Sequence, residues 1–158
     1  KTEEDEEELL LIPIQDRNGK WGFVDKDMNE VVPCKYNYVE PFSKELAVVR
    51  IGDQRTGKYG FIDKTGKEVV PCKYDMAYSL YEGFATLCIG DPSGSDGKWG
   101  AVDKTGKMVI PCKYDKPGID SEFFSYSDGG FYNSFYFKQQ KLRKTVVYRY
   151  IKNGHQNV

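Results

Sequence analysis

Three stretches of the chain repeat one another: KWGFVDKDMNEVVPCKY (20–36), KYGFIDKTGKEVVPCKY (58–74) and KWGAVDKTGKMVIPCKY (98–114). In each, the proline stands twelve residues after the aromatic of the Trp/Tyr-Gly pair, from Trp21 to Pro33, Tyr59 to Pro71 and Trp99 to Pro111, so the copies align without a gap. The period is 38 to 40 residues. A unit that short cannot bury a core alone, so stacked neighbours must supply one. This narrows the fold more than any other property of the sequence.

Within a unit the residue pattern reads as strands cut by turns. Trp21, Phe23 and Asp25 alternate with Gly22 and Val24, which is the period of a strand. Glycine weakens a strand interior, so its recurrence as Gly22, Gly60 and Gly100 predicts a close approach by another backbone or ring. Asp63-Lys64-Thr65-Gly66-Lys67 and Asp103–Lys107 read as short hairpin turns with glycine in the left-handed position. The first unit departs, with Met28 in the glycine slot and Asn29 after it. Either the turn shifts by one residue, or Met28 carries a strain on the order of 1 kcal/mol. In the second strand, Val70, Cys72 and Tyr74 share one face and Val69, Pro71 and Lys73 the other. Proline has no N–H to give a ladder, so it marks an edge or the point where the strand leaves its partner. Asn18-Gly19, Thr56-Gly57 and Asp96-Gly97 predict a turn before each Lys-aromatic pair.

A connector of about ten residues follows each motif, and a third strand then recurs in register: Leu46–Val49 and Phe84–Leu87 both begin ten residues after the motif tyrosine. Ungapped alignment places Leu9 to Leu11 on Ala47 to Val49, as the last strand of a partial unit. After Tyr114 the pattern changes. Phe124-Ser125-Tyr126 takes the third-strand place, and two strand-like runs, 131–137 and 145–151, flank a lysine-rich segment. The organisation expected is an acidic lead over 1–8 and a repeat array over 9–126, with units at about 9–19 (partial), 20–57, 58–97 and 98–126. A C-terminal capping hairpin over 127–152 and a frayed tail over 153–158 complete it.

Composition agrees with a β module: aromatics make up 15% of the 158 residues, with 12 Tyr and 9 Phe, and there are 16 Gly. The net charge of −1 gives no pull toward nucleic acid or membrane. Lys138–Lys144 among aromatics offers a stacking and neutralising site, but with that charge balance nucleic acid is disfavoured as a partner. No apolar run reaches the roughly 20 residues that span a bilayer as a helix. Cys34, Cys72 and Cys112 occupy one motif position and cannot all pair with each other, so they read as small core-facing residues.

Several motifs invite a catalytic or ligand reading and fail on context. Gly52-Asp53-Gln54-Arg55-Thr56-Gly57-Lys58 fits the phosphate-loop pattern, but Tyr59 replaces the hydroxyl residue and a strand follows where a helix is needed. Asp91–Gly97 resembles a calcium loop, yet Val102 stands where the bidentate glutamate belongs. The only histidine is His155, near the end of the chain, which leaves Cys and Ser without a neighbouring base. Asp25, Asp63 and Asp103 recur, and starting a turn accounts for them. We therefore expect no catalytic residue, no metal and no cofactor. Lys35, Lys73 and Lys113 should point outward as a ligand-binding row. Trp21, Tyr59 and Trp99 form either a stacking ladder for sugars or peptide side chains or, as the favoured reading, the large core residues of their units.

The Lys-aromatic-Gly-Phe-Val/Ile-Asp-Lys-x-Gly-Lys-x-Val-Val/Ile-Pro-x-Lys-Tyr-Asp string resembles the bacterial WG repeat, also called the KWG repeat, over about Leu9 to Tyr126. The chain departs from it at Tyr59, Ala101, Met28 and Asn37. The resemblance implies a bacterial protein built of all-β repeats in arrays, with no activity common to the family. It is distinct from the WGR domain of DNA-damage enzymes, because Phe23, Phe61 and Ala101 stand where arginine would.

The fold expected is all-β, with antiparallel three-stranded repeats packed side by side as an open or partly closed array and a propeller-like arrangement as the alternative. The function expected is a non-catalytic binding module recognising protein or cell-wall glycan through a repeat-built surface. An architectural spacer attached to another domain is the alternative, and an enzyme comes last. The compartment, cytoplasm or cell envelope, and the oligomeric state are left open by the sequence.

Overall fold

Turn chemistry sets the strands. The computed structural model describes residues 9–81, 83–119, 123–128, 131–138, 141–151 and 154–157, with side chains described for 9–79 and 83–115. At each hairpin turn a carboxylate gathers the backbone amides that the reversal leaves unpaired. Asp63 Oδ1 accepts from Thr65 N at 2.9 Å, Thr65 Oγ1 at 2.6 Å and Lys67 N at 3.1 Å. Asp103 repeats this with Thr105 and Lys107, and Asp25 with Asp27 and Asn29. Gly66 and Gly106 take positive φ of 85° and 84°, and Met28 takes φ 65° in the same slot. The first unit thus keeps the turn of the others and places the strain on Met28, without shifting to Asn29.

All described regular structure is β; among these residues no helix is long and apolar enough to cross a membrane. The chain divides into two compact units, Lys1–Cys72 and Lys73–Val158. In the first, β1 (Ile12–Gln15), β2 (Trp21–Val24) and β3 (Glu30–Tyr36) form a three-stranded antiparallel meander. A second sheet has the order β4 (Tyr38–Val39), β5 (Leu46–Ile51), β6 (Lys58–Asp63) and β7 (Glu68–Tyr74), the last strand running through the unit boundary. These two sheets share a core of Leu11, Phe23, Val32, Tyr36, Val39, Ala47, Val49 and Ile62. Phe42 meets Phe23 edge-on at 4.9 Å, and the buried Tyr36 hydroxyl donates to Glu68 at 3.1 Å.

The second unit contains the order β8 (Met76–Tyr81), β9 (Phe84–Ile89), β10 (Lys98–Asp103) and β11 (Met108–Tyr114). Its core gathers Cys88, Trp99, Ala101, Ile110 and Tyr114. Five further strands follow in sheet order, β12 (Lys116–Ile119), β13 (Phe123–Asp128), β14 (Phe131–Lys138), β15 (Lys141–Ile151) and β16 (Gly154–Asn157). Among the described residues none of the sheets closes into a barrel. The hairpin expected within 127–152 is the β14–β15 pair, set inside this five-stranded sheet. Residues 154–157, expected to fray, instead pair with β15. The acidic lead over 1–8 lies outside the described residues.

Three readings are sharpened by the register. Each of the two sheets β4–β7 and β8–β11 has four strands, because the connector contributes one, the two-residue β4 or the six-residue β8. It is latched by the residue after the motif tyrosine: Asn37 Oδ1 accepts from Gly52 N at 2.9 Å, and Asp75 Oδ2 from Gly90 N at 2.8 Å. The strand before Trp21 begins three residues later than ungapped alignment places it. Ile12–Gln15 stand opposite Val24–Trp21 as Ala47–Arg50 stand opposite Ile62–Tyr59, because the first loop is shorter. The turn glycine before the Lys-aromatic pair has positive φ only at Gly19; in the longer loops that conformation moves to Gly52 and Gly90.

The recurring strand glycine and the proline explain each other. Between Trp21↔Tyr36 and Phe23↔Val32, β2 advances two residues while β3 advances four, and β10 with β11 does the same. The excess forms a bulge at Pro33-Cys34, where proline's lack of an N–H costs no ladder bond. A Cβ on Gly22, Gly60 or Gly100 would lie 2.3, 2.4 and 2.4 Å from the carbonyl oxygen of Val32, Val70 and Ile110. The close approach predicted from the sequence is the backbone of the adjoining bulged strand.

Candidate functional site

The β3, β7 and β11 strands alternate burial as their sequences predict: Val70 and Tyr74 inside, Pro71 and Lys73 outside, with the same order in the other copies. Lys35, Lys73 and Lys113 are all exposed. Each ammonium lies over the ring of the tyrosine that follows it, 5.1 Å from Tyr36, 5.5 Å from Tyr74 and 5.2 Å from Tyr114. Such contacts are worth about 0.5–1 kcal/mol at exposed sites, enough to restrict the lysine rotamers while leaving the charge accessible. The rings themselves are buried, so each lysine caps a core tyrosine.

The aromatics of the Trp/Tyr-Gly pairs do not share one environment. Trp99 is buried, whereas Trp21 and Tyr59 are half-buried, Trp21 packing against the first unit's core. In the first unit, Tyr59 joins a cluster that sequence reading missed. The Arg50 guanidinium lies 5.2 Å from the ring of Tyr38 and 5.6 Å from that of Tyr59, and Arg50 Nη1 donates to the Tyr59 hydroxyl at 3.3 Å. Cross-strand register brings these residues together, since Tyr38, Arg50 and Tyr59 stand in one row across β4, β5 and β6. In the second unit the equivalent row is Met76, Cys88 and Trp99, and the exposed Tyr78 stacks on Trp99 at 5.6 Å with the rings 4° from parallel. Only the alternation of connector residues could have signalled Tyr38 and Tyr78; their partners depend on register.

The groups that chemistry would need are turned to structural use. The amides of Arg55 and Thr56 converge on the Asp53 carboxylate at 2.7 Å, and Gly57 N donates to Asp53 O at 2.9 Å. The loop that resembles a phosphate cradle is thus filled by its own aspartate, whose pKa these bonds hold below the usual carboxylate value. Asp91 likewise accepts from Ser93 N at 2.9 Å within its own loop. Asp25 is held below the ordinary carboxylate value by its turn bonds; Asp63 and Asp103, although burial opposes the shift, are held low by theirs. All four cysteines are free thiols. Burial pushes Cys72 up to about 11, with the Glu68 charge adding to it, and Cys88 up to about 11, with Asp75 adding; Cys34 and Cys112 are raised by burial too. A thiol raised in this way is a poor nucleophile at neutral pH. Among the described residues no three His, Cys, Asp or Glu side chains gather as a metal-binding set.

A family model described as a WG containing repeat matches residues 21–54, 59–91 and 99–129, more than half of the chain. No curated protein and no solved structure matches the chain. The three matches fall on the three motif copies whose glycine, bulge and aspartate turn are described above, and the chain therefore belongs to the WG repeat family.

Proposed function

We propose that this chain is a non-catalytic interaction module of a bacterial protein, recognising another protein or cell-wall glycan through groups that successive repeats present alike. The observation that carries the reading is the thrice-repeated lysine, exposed and fixed over a buried tyrosine at Lys35, Lys73 and Lys113. The recurrent aspartates Asp25, Asp63 and Asp103 spend their bonds on turns, and burial raises the pKa of the thiols. That favours recognition over turnover. The half-exposed Tyr38–Arg50–Tyr59 cluster and the Tyr78–Trp99 stack add aromatic faces of the kind that sugars and peptides stack against.

The test is cosedimentation of the chain with purified peptidoglycan, and separately with polyglutamate-coated beads, comparing the original with a Lys35→Ala, Lys73→Ala, Lys113→Ala variant whose circular dichroism shows it folded. Loss of binding by at least tenfold on one matrix supports the reading. Binding that is equal for both proteins, or absent for both on both matrices, refutes the lysine-centred surface. A second reading, an architectural spacer, is favoured by the recurrent turn aspartates and strand glycines, which serve the fold. Absence of binding to either matrix is its expected outcome.

A further inference from the structure

In each unit, the strand residue that stands opposite the aromatic of the Trp/Tyr-Gly pair bonds to the loop that joins the two strands. These residues are Gln15 opposite Trp21, Arg50 opposite Tyr59 and Cys88 opposite Trp99. Gln15 Nε2 donates to Gly19 O at 3.0 Å, Arg50 Nε to Gly52 O at 3.2 Å, and the Cys88 thiol to Gly90 O at 3.8 Å. A Cβ on Gly57 would lie 2.9 Å from Arg50 Cδ, so the loop is shaped around this side chain. Uncharged Gln15 and Cys88 meet the same structural need, and Arg50 therefore brings a charge that the loop does not require. Its guanidinium is held in place by more than the Gly52 bond. The guanidinium carbon lies 5.2 Å from the Tyr38 ring and 5.6 Å from the Tyr59 ring, and Nη1 donates to the Tyr59 hydroxyl at 3.3 Å.

We propose, on the glycan branch of the recognition reading above but not on its lysines, that Arg50, set between Tyr38 and Tyr59, binds the carboxylate of a sugar acid whose ring rests against Tyr38. A guanidinium carries five N–H donors, and the bonds to Gly52 and Tyr59 use one on Nε and one on Nη1. The three others, on Nη1 and Nη2, supply the planar fork that meets a carboxylate with two parallel bonds. Fixing the fork beforehand lowers the ordering cost of binding. The nearby acids select the class of ligand. Glu40 accepts from the Tyr38 hydroxyl at 3.2 Å, and Asp53, within the field of the Arg50 charge, accepts from Arg55 N and Thr56 N at 2.7 Å. Two fixed carboxylates close to the guanidinium repel a ligand of dense negative charge, such as a polyacidic peptide or a nucleic acid. A sugar acid carries a single carboxylate among hydroxyls, and hydroxyls donate to carboxylates instead of opposing them. Tyr38, 37% exposed, offers an apolar ring to the carbons of the sugar.

The test titrates the full 158-residue chain, ¹⁵N-labelled, with the disaccharide of glucuronic acid and N-acetylglucosamine, and with its counterpart in which the carboxylate is reduced to an alcohol. We expect saturable shifts of the Arg50 Nε–H signal and of the Tyr38 and Gly52 amides with the acid, and binding at least tenfold weaker with the alcohol. Arg50→Lys keeps the charge but loses the fork, and should weaken binding of the acid at least tenfold while the rest of the spectrum stays in place. Tyr59→Phe removes only the hydroxyl that fixes Nη1; it should weaken binding in the same direction and takes over the test if Arg50→Lys unfolds. The Lys35→Ala, Lys73→Ala, Lys113→Ala variant should bind the acid unchanged, so failure of the lysine surface and failure of this site are read separately. Equal binding of acid and alcohol, no saturable shift at Arg50, full binding by the folded variants of Arg50 or Tyr59, or loss of binding in the lysine variant overturns the proposal. So does equal binding by an N-acetylated Gly-Glu-Gly amide, which makes the ligand a carboxylate of a protein.

Discussion

Thr86 offers a sharp test of how the repeats pack. It lies in the middle of β9, 2% exposed, and its hydroxyl oxygen has no hydrogen-bond partner among the described residues. The equivalent residue of β5, opposite Phe61 as Thr86 is opposite Ala101, is Val48, which is 0% exposed. The first repeat thus shows that an apolar β-branched side chain fits this position. An unpaired buried hydroxyl costs about 1–3 kcal/mol, and Thr86→Val removes it without changing the shape of the side chain. Stability of the second unit should rise by about 1–3 kcal/mol, with a midpoint shift of roughly 2–4 °C per kcal/mol for a chain of this size. Urea unfolding followed by Trp99 fluorescence in a Trp21→Phe background reports that unit. The reciprocal change, Val48→Thr, should cost about 1–3 kcal/mol in the first unit, and Thr86→Ser should destabilise by about 1 kcal/mol through the lost methyl. If Thr86→Val is neutral or destabilising, the hydroxyl has a partner and the reasoning fails.

Three further outcomes follow from the turns, the bulges and the thiols. Gly60→Ala places a methyl 2.4 Å from Val70 O, so the bulge must move; we expect a loss of about 2–4 kcal/mol in urea unfolding, and a change under about 1 kcal/mol would contradict the close approach. Met28→Gly relieves a left-handed backbone worth about 1–2 kcal/mol and gives back part of that in unfolded-state entropy, so a net gain of about 0.5–1 kcal/mol is expected. Met28 is largely exposed, so little burial is lost, and a destabilised variant would refute the strain. Cys72 and Cys88 hold their protons to about 11 in the folded chain against a reference of 9.0. The folded state therefore binds more protons than the unfolded one between these values, and stability that is full below pH 9 should fall as pH rises toward 11. A Cys72→Ala, Cys88→Ala variant should lose less over that window, and an equal loss would place its cause elsewhere.

Much of the fold was legible in residues whose role is local. Asp63, Gly66 and Pro71 act through their own turn or bulge, so their spacing alone announced two hairpin strands and a break in the ladder. The alternation of Val70, Cys72 and Tyr74 with Pro71 and Lys73 gave the buried and exposed faces, and Lys73 is exposed as expected. The partner of Gly60 could be foreseen as a backbone but not identified. The connector strand β4 escaped notice because Tyr38–Val39 is too short to show a period; a pairing two residues long is stabilised by its neighbours and by the Asn37 latch.

The same division holds for the candidate sites. The sequence by itself determined an all-β chain of 38 to 40-residue repeats, their turns, their inner and outer faces and the three outward lysines, because each of these depends on contacts within a few residues or on a period. Tertiary structure alone decided that Arg50 lies between Tyr38 and Tyr59, and that Trp99 is buried while Tyr59 is not. These depend on cross-strand register and on loop length, and a shift of one residue in register would turn each of those side chains to the other face.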